Sequence, residues 1–286
     1  MIVITGATGQ LGHAVTEALL RLLPANQMGV SVRDPAKASA FAERGVRVRR
    51  GDFADPASLD DAFEGASQVL IVSSGQSGET AMQQHGAAID AAKRAGAGRI
   101  LYTSHMAASP NSAFPPMRTH AATEALLAAS GVPYTALRNG FYASSAVIFM
   151  GKAPQTGILS APQDGPVSWT THADLAEAAA LILANEGRFD GPTPPLTAST
   201  AFDLAGLGAL ASDILGKPIE RVIISDDQFQ ATMNAGNVPA DRQAISLGFY
   251  QASRDGEFGA VDGALAKVLG RSPETMRDFL AGKLSF

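Results

Sequence analysis

Along the first half of the chain, short runs of apolar and β-branched residues alternate with longer stretches of helical spacing. The runs fall at 2–5, 28–32, 46–49, 68–72, 99–103 and 134–138. Between the first two, Leu11, Val15, Ala18, Leu19 and Leu22 recur at the three- and four-residue intervals of one helix face. Pro24 ends that helix. Asp34-Pro35 and Asp55-Pro56 each set a capping carboxylate before a proline at the first helical position. Near-continuously apolar strands, each followed by a helix, predict parallel strands covered on both faces, because a parallel crossover needs a connecting helix. The pattern predicts a doubly wound α/β sheet.

After Arg138 the pattern loosens. Residues 151–170 are rich in Gly, Pro, Gln and Ser, and 191–195 reads as a proline-rich connection. A strong helical pattern spans 173–185, opened by Thr171 or His172. Ser225-Asp226-Asp227-Gln228 spells a capping box, and Ser272-Pro273-Glu274 opens a last helix. These signals predict a smaller, mostly helical C-terminal lobe in 141–286. It is interleaved with a first domain of 1–140 that also takes elements from 165–200.

Composition narrows the function classes. With 22 basic against 27 acidic side chains and a net charge of −5, and with no basic run, the chain is a poor ligand for nucleic acid. The absence of cysteine excludes disulfides, thiolate metal centres and cysteine nucleophiles. Five scattered histidines without neighbouring acids give no reason to expect a metal. No apolar stretch approaches the ~20 residues of a membrane helix, and no basic leader follows Met1. The expectation is a soluble cytoplasmic protein, monomer or homodimer.

The chemistry is announced by Gly6-Ala7-Thr8-Gly9-Gln10-Leu11-Gly12, directly after the first strand run and opening the first helix. Gly6 permits the tight turn, Gly9 lets backbone approach a pyrophosphate, and Gly12 lets the helix pack closely on the sheet. The free N–H groups of the helix start then meet the anion. At the end of the second strand a carboxylate would hold a ribose 2′-hydroxyl and a guanidinium a 2′-phosphate. The chain has Val32-Arg33-Asp34, with Asp34 already wanted as a cap. NADP(H) is therefore favoured, with NAD(H) possible.

At these residues the sequence resembles the NmrA-like branch of the atypical short-chain dehydrogenase/reductases, and within it the bacterial NAD(P)H:quinone oxidoreductases and triphenylmethane reductases. The matching stretches include the glycine loop, Val32-Arg33-Asp34-Pro35-Ala36-Lys37, Arg50-Gly51-Asp52-Phe53, Gln84-His85 and Leu101-Tyr102-Thr103-Ser104. His120-Ala121-Ala122-Thr123-Glu124, Leu137-Arg138-Asn139-Gly140-Phe141-Tyr142 and Thr171-His172-Ala173-Asp174 continue the match. The resemblance implies a Rossmann-type sheet. It places Gly6, Thr8, Gly9, Gln10 and Leu11 along the pyrophosphate and nicotinamide side and Arg33 at the 2′-phosphate. Asp52 and Phe53 would border adenine, and Ser73, Ser74 and Gly75 the riboses. Thr103, Ser104 and the 139–142 turn, with Asn139, would lie near nicotinamide.

One part of the short-chain dehydrogenase pattern is missing. Such enzymes carry Tyr-x-x-x-Lys on the helix after the fifth strand, expected here at about 118–130, where the available pair is His120 and Glu124. The place of a catalytic Ser falls on His105. Quinones and cationic dyes ease the difficulty, since they accept hydride without a strong acid, and positioning supplies most of the acceleration. His105 or Tyr142 could still donate a proton or hydrogen bond. His120 is expected to bond Glu124 or a nearby loop, His85 to be a satisfied packing residue and His172 to cap a helix. Phe141, Tyr142, Phe149 and Trp169 form either an apolar wall over nicotinamide or the core of the smaller lobe; Phe141 and Tyr142 are the readier wall. The long 106–117 loop is a lid candidate. The leading reading is an NAD(P)H-dependent reductase of quinones or similar small aromatic acceptors. The rival is a non-catalytic NADP(H)-sensing regulator.

Overall fold

The computed structural model describes residues 1–284. Its first half runs β1 (Ile2–Thr5), α1 (Gln10–Leu20), β2 (Met28–Val32), α2 (Ser39–Glu43), β3 (Arg47–Arg50) and α3 (Pro56–Phe63). It continues with β4 (Gln68–Ile71), α4 (Gly78–Arg94), β5 (Arg99–His105), α5 (Pro115–Ala129) and β6 (Tyr134–Asn139). The second half begins with β7 (Phe141–Tyr142), α6 (Ala143–Met150), α7 (Ala153–Thr156), β8 (Ile158–Pro162) and β9 (Trp169–Thr170). Then come α8 (His172–Ala184), β10 (Gly191–Pro192), α9 (Leu204–Leu215) and β11 (Glu220–Ile224). The chain closes with α10 (Asp226–Ala235), α11 (Ala240–Arg254), α12 (Ala264–Leu269) and α13 (Met276–Leu284).

The main sheet has seven parallel strands in the order β10-β6-β5-β4-β1-β2-β3. The order reverses beside β1, which is where an open α/β sheet leaves a crevice at its strand ends. Side chains alternate across it as the two-residue period requires. Ile2, Ile4, Leu70 and Leu101 face one apolar cluster, with α1, α8 and α12. Val3, Val69, Ile71, Ile100 and Tyr102 face the other, with α3 and α4. Both faces of the sheet's centre are covered, and this is why β1, β2 and β4 are buried along their whole length, whereas the edge strand β3, Arg47-Val48-Arg49-Arg50, is half-exposed.

A further apolar cluster lies among α6, β8, α9, α11 and α13, centred on Trp169, Phe249 and Phe258. The lobe is mostly helical, with one parallel pair, β8 with β11. Another short parallel pair, β7 with β9, ties it to the end of the main sheet. Gly140 precedes that pair because nothing larger fits: a Cβ there would stand 2.3 Å from Thr170 Oγ1.

Several local expectations need correction. Residues 191–192 are not merely a connection but the seventh strand, at an edge where a proline's missing N–H breaks no ladder. Asp55 does not cap α3 with its side chain; it pairs with Arg50 at 2.7 Å. Thr171, not His172, caps α8. The last helix starts at Met276, later than its proline signal, with Thr275 Oγ1 accepting from Asp278 N–H.

Candidate active site

Gly6 turns at φ +64°, a left-handed conformation that costs glycine least. Its N–H donates to Ser31 O at 3.1 Å, and Gly9 N–H donates back to Gly6 O at 2.9 Å. Gly12 packs against this turn so closely that a Cβ there would stand 2.3 Å from Gly6 O. No side chain caps α1, and its first turn carries no acid. Its first N–H groups, at the positive end of the helix dipole, are free for an anion.

The turn forms one wall of a cleft of about 450 Å³ beyond the ends of β1, β2, β3 and β4. Thr5, Gly6, Thr8 and Gly9 line it from β1 and its loop, and Ser31, Val32 and Arg33 from β2. Gly51, Asp52 and Phe53 follow β3; Val72, Ser73, Ser74, Gly75 and Gln76 follow β4, and Gln84 reaches in from α4. Arg33 is exposed and makes no hydrogen bond or ion pair among the described residues. Its basic neighbours are engaged, Lys37 with Asp34 at 4.0 Å and Arg50 with Asp55 at 2.7 Å. Asp34 Oδ1 accepts from Ala36 N–H at 3.1 Å, so the carboxylate that could have held a ribose hydroxyl is occupied as a cap.

Two hydroxyls complete the picture. Ser31 Oγ and Ser74 Oγ are buried without a hydrogen-bond partner, and both residues border the cleft. An unpaired buried hydroxyl costs about 1–3 kcal/mol. An uncapped helix start, a free guanidinium and two unpartnered hydroxyls around one crevice fit an anionic, hydroxyl-rich dinucleotide.

The helix expected to carry the acid carries instead a set of polar props. On α5, Thr119 Oγ1 accepts from Gly78 N–H at 3.2 Å, and His120 Nδ1 meets Tyr102 Oη at 2.9 Å. Glu124 accepts from Ser104 Oγ at 2.6 Å and holds Arg138 through bonds of 3.0 and 2.7 Å. His120 thus bonds Tyr102 rather than Glu124 or a loop. Burial pushes its pKa down to about 3, so it is neutral near pH 7 and serves as a hydrogen-bonding group.

His105 ends β5 against the rings of Phe141 and Phe258, with His120 stacked at 6.2 Å. Its Nδ1 accepts from Ala107 N–H at 3.1 Å, so its ring proton is on Nε2. Burial, reinforced by His120, holds its pKa well below the usual imidazole range. Tyr142 is half-buried with its ring 4.2 Å from that of His172. Burial raises its phenol pKa, with a hydrogen bond from Asn139 opposing. Past His105, a smaller, open depression of about 310 Å³ is lined by residues 106–109, Asn111, Ser112 and Glu257. Glu257 binds the loop, accepting from Ser112 Oγ and from Ala113 N–H.

A family model described as NAD(P)H-binding matches residues 6–186. The chain belongs to this NAD(P)H-binding family. Quinone oxidoreductase 2 of Escherichia coli is 36% identical over 288 residues, covering 97% of this chain and 96% of the relative. A solved structure of an E. coli NADPH-dependent quinone oxidoreductase complexed with NADPH has 34% identity and a TM-score of 0.92, with both chains covered in full. The Citrobacter sp. triphenylmethane reductase complexed with NADP(H) has 31% identity and a TM-score of 0.89, covering 99% of this chain and 100% of that one. The likeness to quinone and dye reductases read from the motifs is borne out.

For a member of the NAD(P)H-binding family, the cleft gathers Gly6, Thr8, Gly9, Arg33, Asp52, Phe53, Ser73, Ser74 and Gly75. Gln10, Leu11, Gly12, Thr103, Ser104 and Asn139 are not among its lining residues. Gln10 is exposed at the start of α1; Leu11 and Gly12 are buried in its packing. Thr103 and Ser104 face inward to hold Ser73 and Glu124. Asn139 is 2% exposed, beside His105 in register, with its Oδ1 unpartnered. Trp169 does not form a wall over the cleft: it is 1% exposed and its Nε1–H donates to Phe202 O at 2.8 Å. Phe149 stacks on Phe249 at 4.0 Å in the same core. Phe141 is buried among His105, Trp169, Phe249 and Phe258. Thr5, Ser31 and Gln76 line the cleft without having been singled out, and Gln84, given no role within its matching stretch, joins them. Ser31 had a signal: a hydroxyl inside the otherwise apolar 28–32 run, opposite Gly51, where a Cβ would stand 2.0 Å from Ser31 Oγ.

Proposed function

We propose that the protein is an NADPH-dependent reductase of quinones and similar electron-poor aromatic compounds. The observation that carries this is the free Arg33 guanidinium lining the same cleft as the glycine turn before the uncapped α1, in a chain whose relatives include a quinone oxidoreductase and a dye reductase. When bound, the reduced nicotinamide supplies a hydride, two electrons to the acceptor, and the acceptor takes up its proton from solvent or a nearby donor.

The chain's own residues bind and orient. The backbone of Gly9 and of the α1 start at Gln10 and Leu11, with Thr8, holds the pyrophosphate, and Arg33 holds the 2′-phosphate. Asp52 and Phe53 border adenine, and Ser73, Ser74 and Gly75 border the riboses. Asn139 offers its amide near nicotinamide, while Thr103 and Ser104 act through the groups they hold. We place the acceptor beyond β5, against His105 and Tyr142 and within reach of the depression along the 106–112 loop. Both His105 and Tyr142 are in protonation states suited to donating a hydrogen bond rather than a labile proton. Residues 1–140, with elements from 165–200, form the cofactor half, and 141–286 the acceptor half. The reading includes a cytoplasmic monomer or homodimer; among the described residues no helix is long and apolar enough to cross a membrane.

An acceptor panel tests the proposal. Quinones and triphenylmethane dyes should be reduced with NADPH, whereas simple aldehydes offered as acceptors to NADPH, and secondary alcohols offered as donors to NADP+, need the strong acid or base absent from α5 and should react poorly. Preference for aldehydes would overturn it. NADPH binding with no turnover on any acceptor would favour the sensing regulator.

A further inference from the structure

The loop after β4 is held by three side chains from three different elements. Val72 N–H donates to Thr5 Oγ1 of β1 at 2.9 Å, and Ser73 N–H to Thr103 Oγ1 of β5 at 2.8 Å. Ser74 N–H donates to His85 Nε2 of α4 at 3.0 Å. Three successive backbone donors are thus fixed from beneath, and Ser73, Ser74 and Gly75 face the cleft from above.

His85 is the least expected of the three. It is 1% exposed and does not line the cleft itself, although its neighbour Gln84 does. Its tautomer is set by a directional chain. Thr123 Oγ1–H donates to Thr119 O at 2.9 Å, so the same oxygen accepts from His85 Nδ1–H, also at 2.9 Å. This leaves Nε2 bare to accept from Ser74. A packing residue would need neither bond. The chain instead delivers one acceptor, from α5 through α4, to the backbone of a cleft wall.

We propose that His85 is a positioning residue for the dinucleotide, fixing Ser74 and through it the 73–75 wall that borders the riboses. The proposal rests on the NAD(P)H-binding reading. Riboses are common to both dinucleotides, so the contribution of His85 is blind to the 2′-phosphate, unlike that of Arg33.

The test compares His85→Leu, which keeps bulk but loses the acceptor, with His85→Gln, whose Oε1 can accept from Ser74. Titrations with NADPH and with NADH are read beside KM, kcat and thermal melting without cofactor. An unpaired amide at Ser74 should weaken both dinucleotides by about tenfold in His85→Leu. His85→Gln should recover wild-type affinity to within about threefold, and kcat at saturating NADPH should change little in either variant. Unchanged affinity in His85→Leu, equal loss in Leu and Gln, or a loss confined to NADPH would overturn the proposal. If His85→Leu does not fold, His85→Phe, which likewise offers no acceptor to Ser74 N–H, takes its place and should weaken both dinucleotides alike; unaltered binding would overturn it. Wild-type protein that binds neither dinucleotide would instead overturn the cofactor reading, and that titration comes first.

Discussion

At Arg33 a single guanidinium is proposed to stand where two cofactors differ, since NADPH carries a 2′-phosphate that NADH lacks. Its guanidinium is unpaired among the described residues, and Asp34 beside it is occupied as a cap. Charge-assisted hydrogen bonds contribute about 1.5–3 kcal/mol, roughly ten- to a hundredfold in affinity. Arg33→Ala should weaken NADPH by that factor and leave NADH nearly unchanged in a binding titration; equal loss of both would make Arg33 structural. The glycines divide by a similar geometric argument. A Cβ at Gly12 would meet Gly6 O at 2.3 Å, whereas one at Gly9 would stand 3.3 Å from it. Gly12→Ala should therefore lower the melting temperature. Gly9→Val should fold yet lose NADPH binding, because its side chain fills the phosphate's approach. Arg33 and this loop were legible in the sequence because their chemistry is local. The bond from His85 to Ser74 was not, because its meaning depends on where α4 lies.

At the scale of elements, α5 explains why no acid was found where short-chain dehydrogenases carry theirs. Its inward groups are consumed holding Gly78, Tyr102, Ser104 and Arg138. If the reaction depends mainly on positioning an electrophilic acceptor, no single titrating side chain is indispensable. Replacing either His105 or Tyr142 by Phe should lower quinone turnover by no more than about a hundredfold, the lower end of a general acid's contribution. A loss beyond about four orders of magnitude with normal NADPH binding would put a conventional proton donor at that residue. The six strands of the first half were readable from their apolar runs. β10 was not, because two residues containing a proline carry no strand pattern and pair only once β6 is in place. Trp169 and Phe149 were ambiguous for a related reason: an apolar side chain beside a predicted cleft looks the same whether it lines the cleft or the core behind it.

For the whole molecule, buried neutral imidazoles tie stability to pH. Burial lowers the pKa of His85 to about 4 and of His120 to about 3, and holds His105 well below its usual value. Each is uncharged in the fold and protonates in the unfolded chain below about pH 6.5. The unfolded state then binds more protons, so stability is lost as pH falls, by roughly 1.4 kcal/mol per pH unit for each such histidine. Asp164, whose carboxyl is raised by burial despite Arg221, opposes this near the acid end. Denaturant unfolding should show a steep loss between about pH 6.5 and about pH 4, and His85→Gln should make it shallower. A flat profile through that window would mean these histidines are charged in the fold. The division into a covered sheet and a helical lobe was legible from patterning, while the crevice between strand ends emerged only from the strand order. What that crevice does is most directly measured by mixing the protein–NADPH complex with excess benzoquinone in a stopped-flow instrument and following nicotinamide absorbance. The account predicts rapid oxidation of the bound cofactor, then repeated turnover when NADPH is supplied, at rates above the protein-free reaction. Tight NADPH binding with oxidation no faster than in the absence of protein would contradict it.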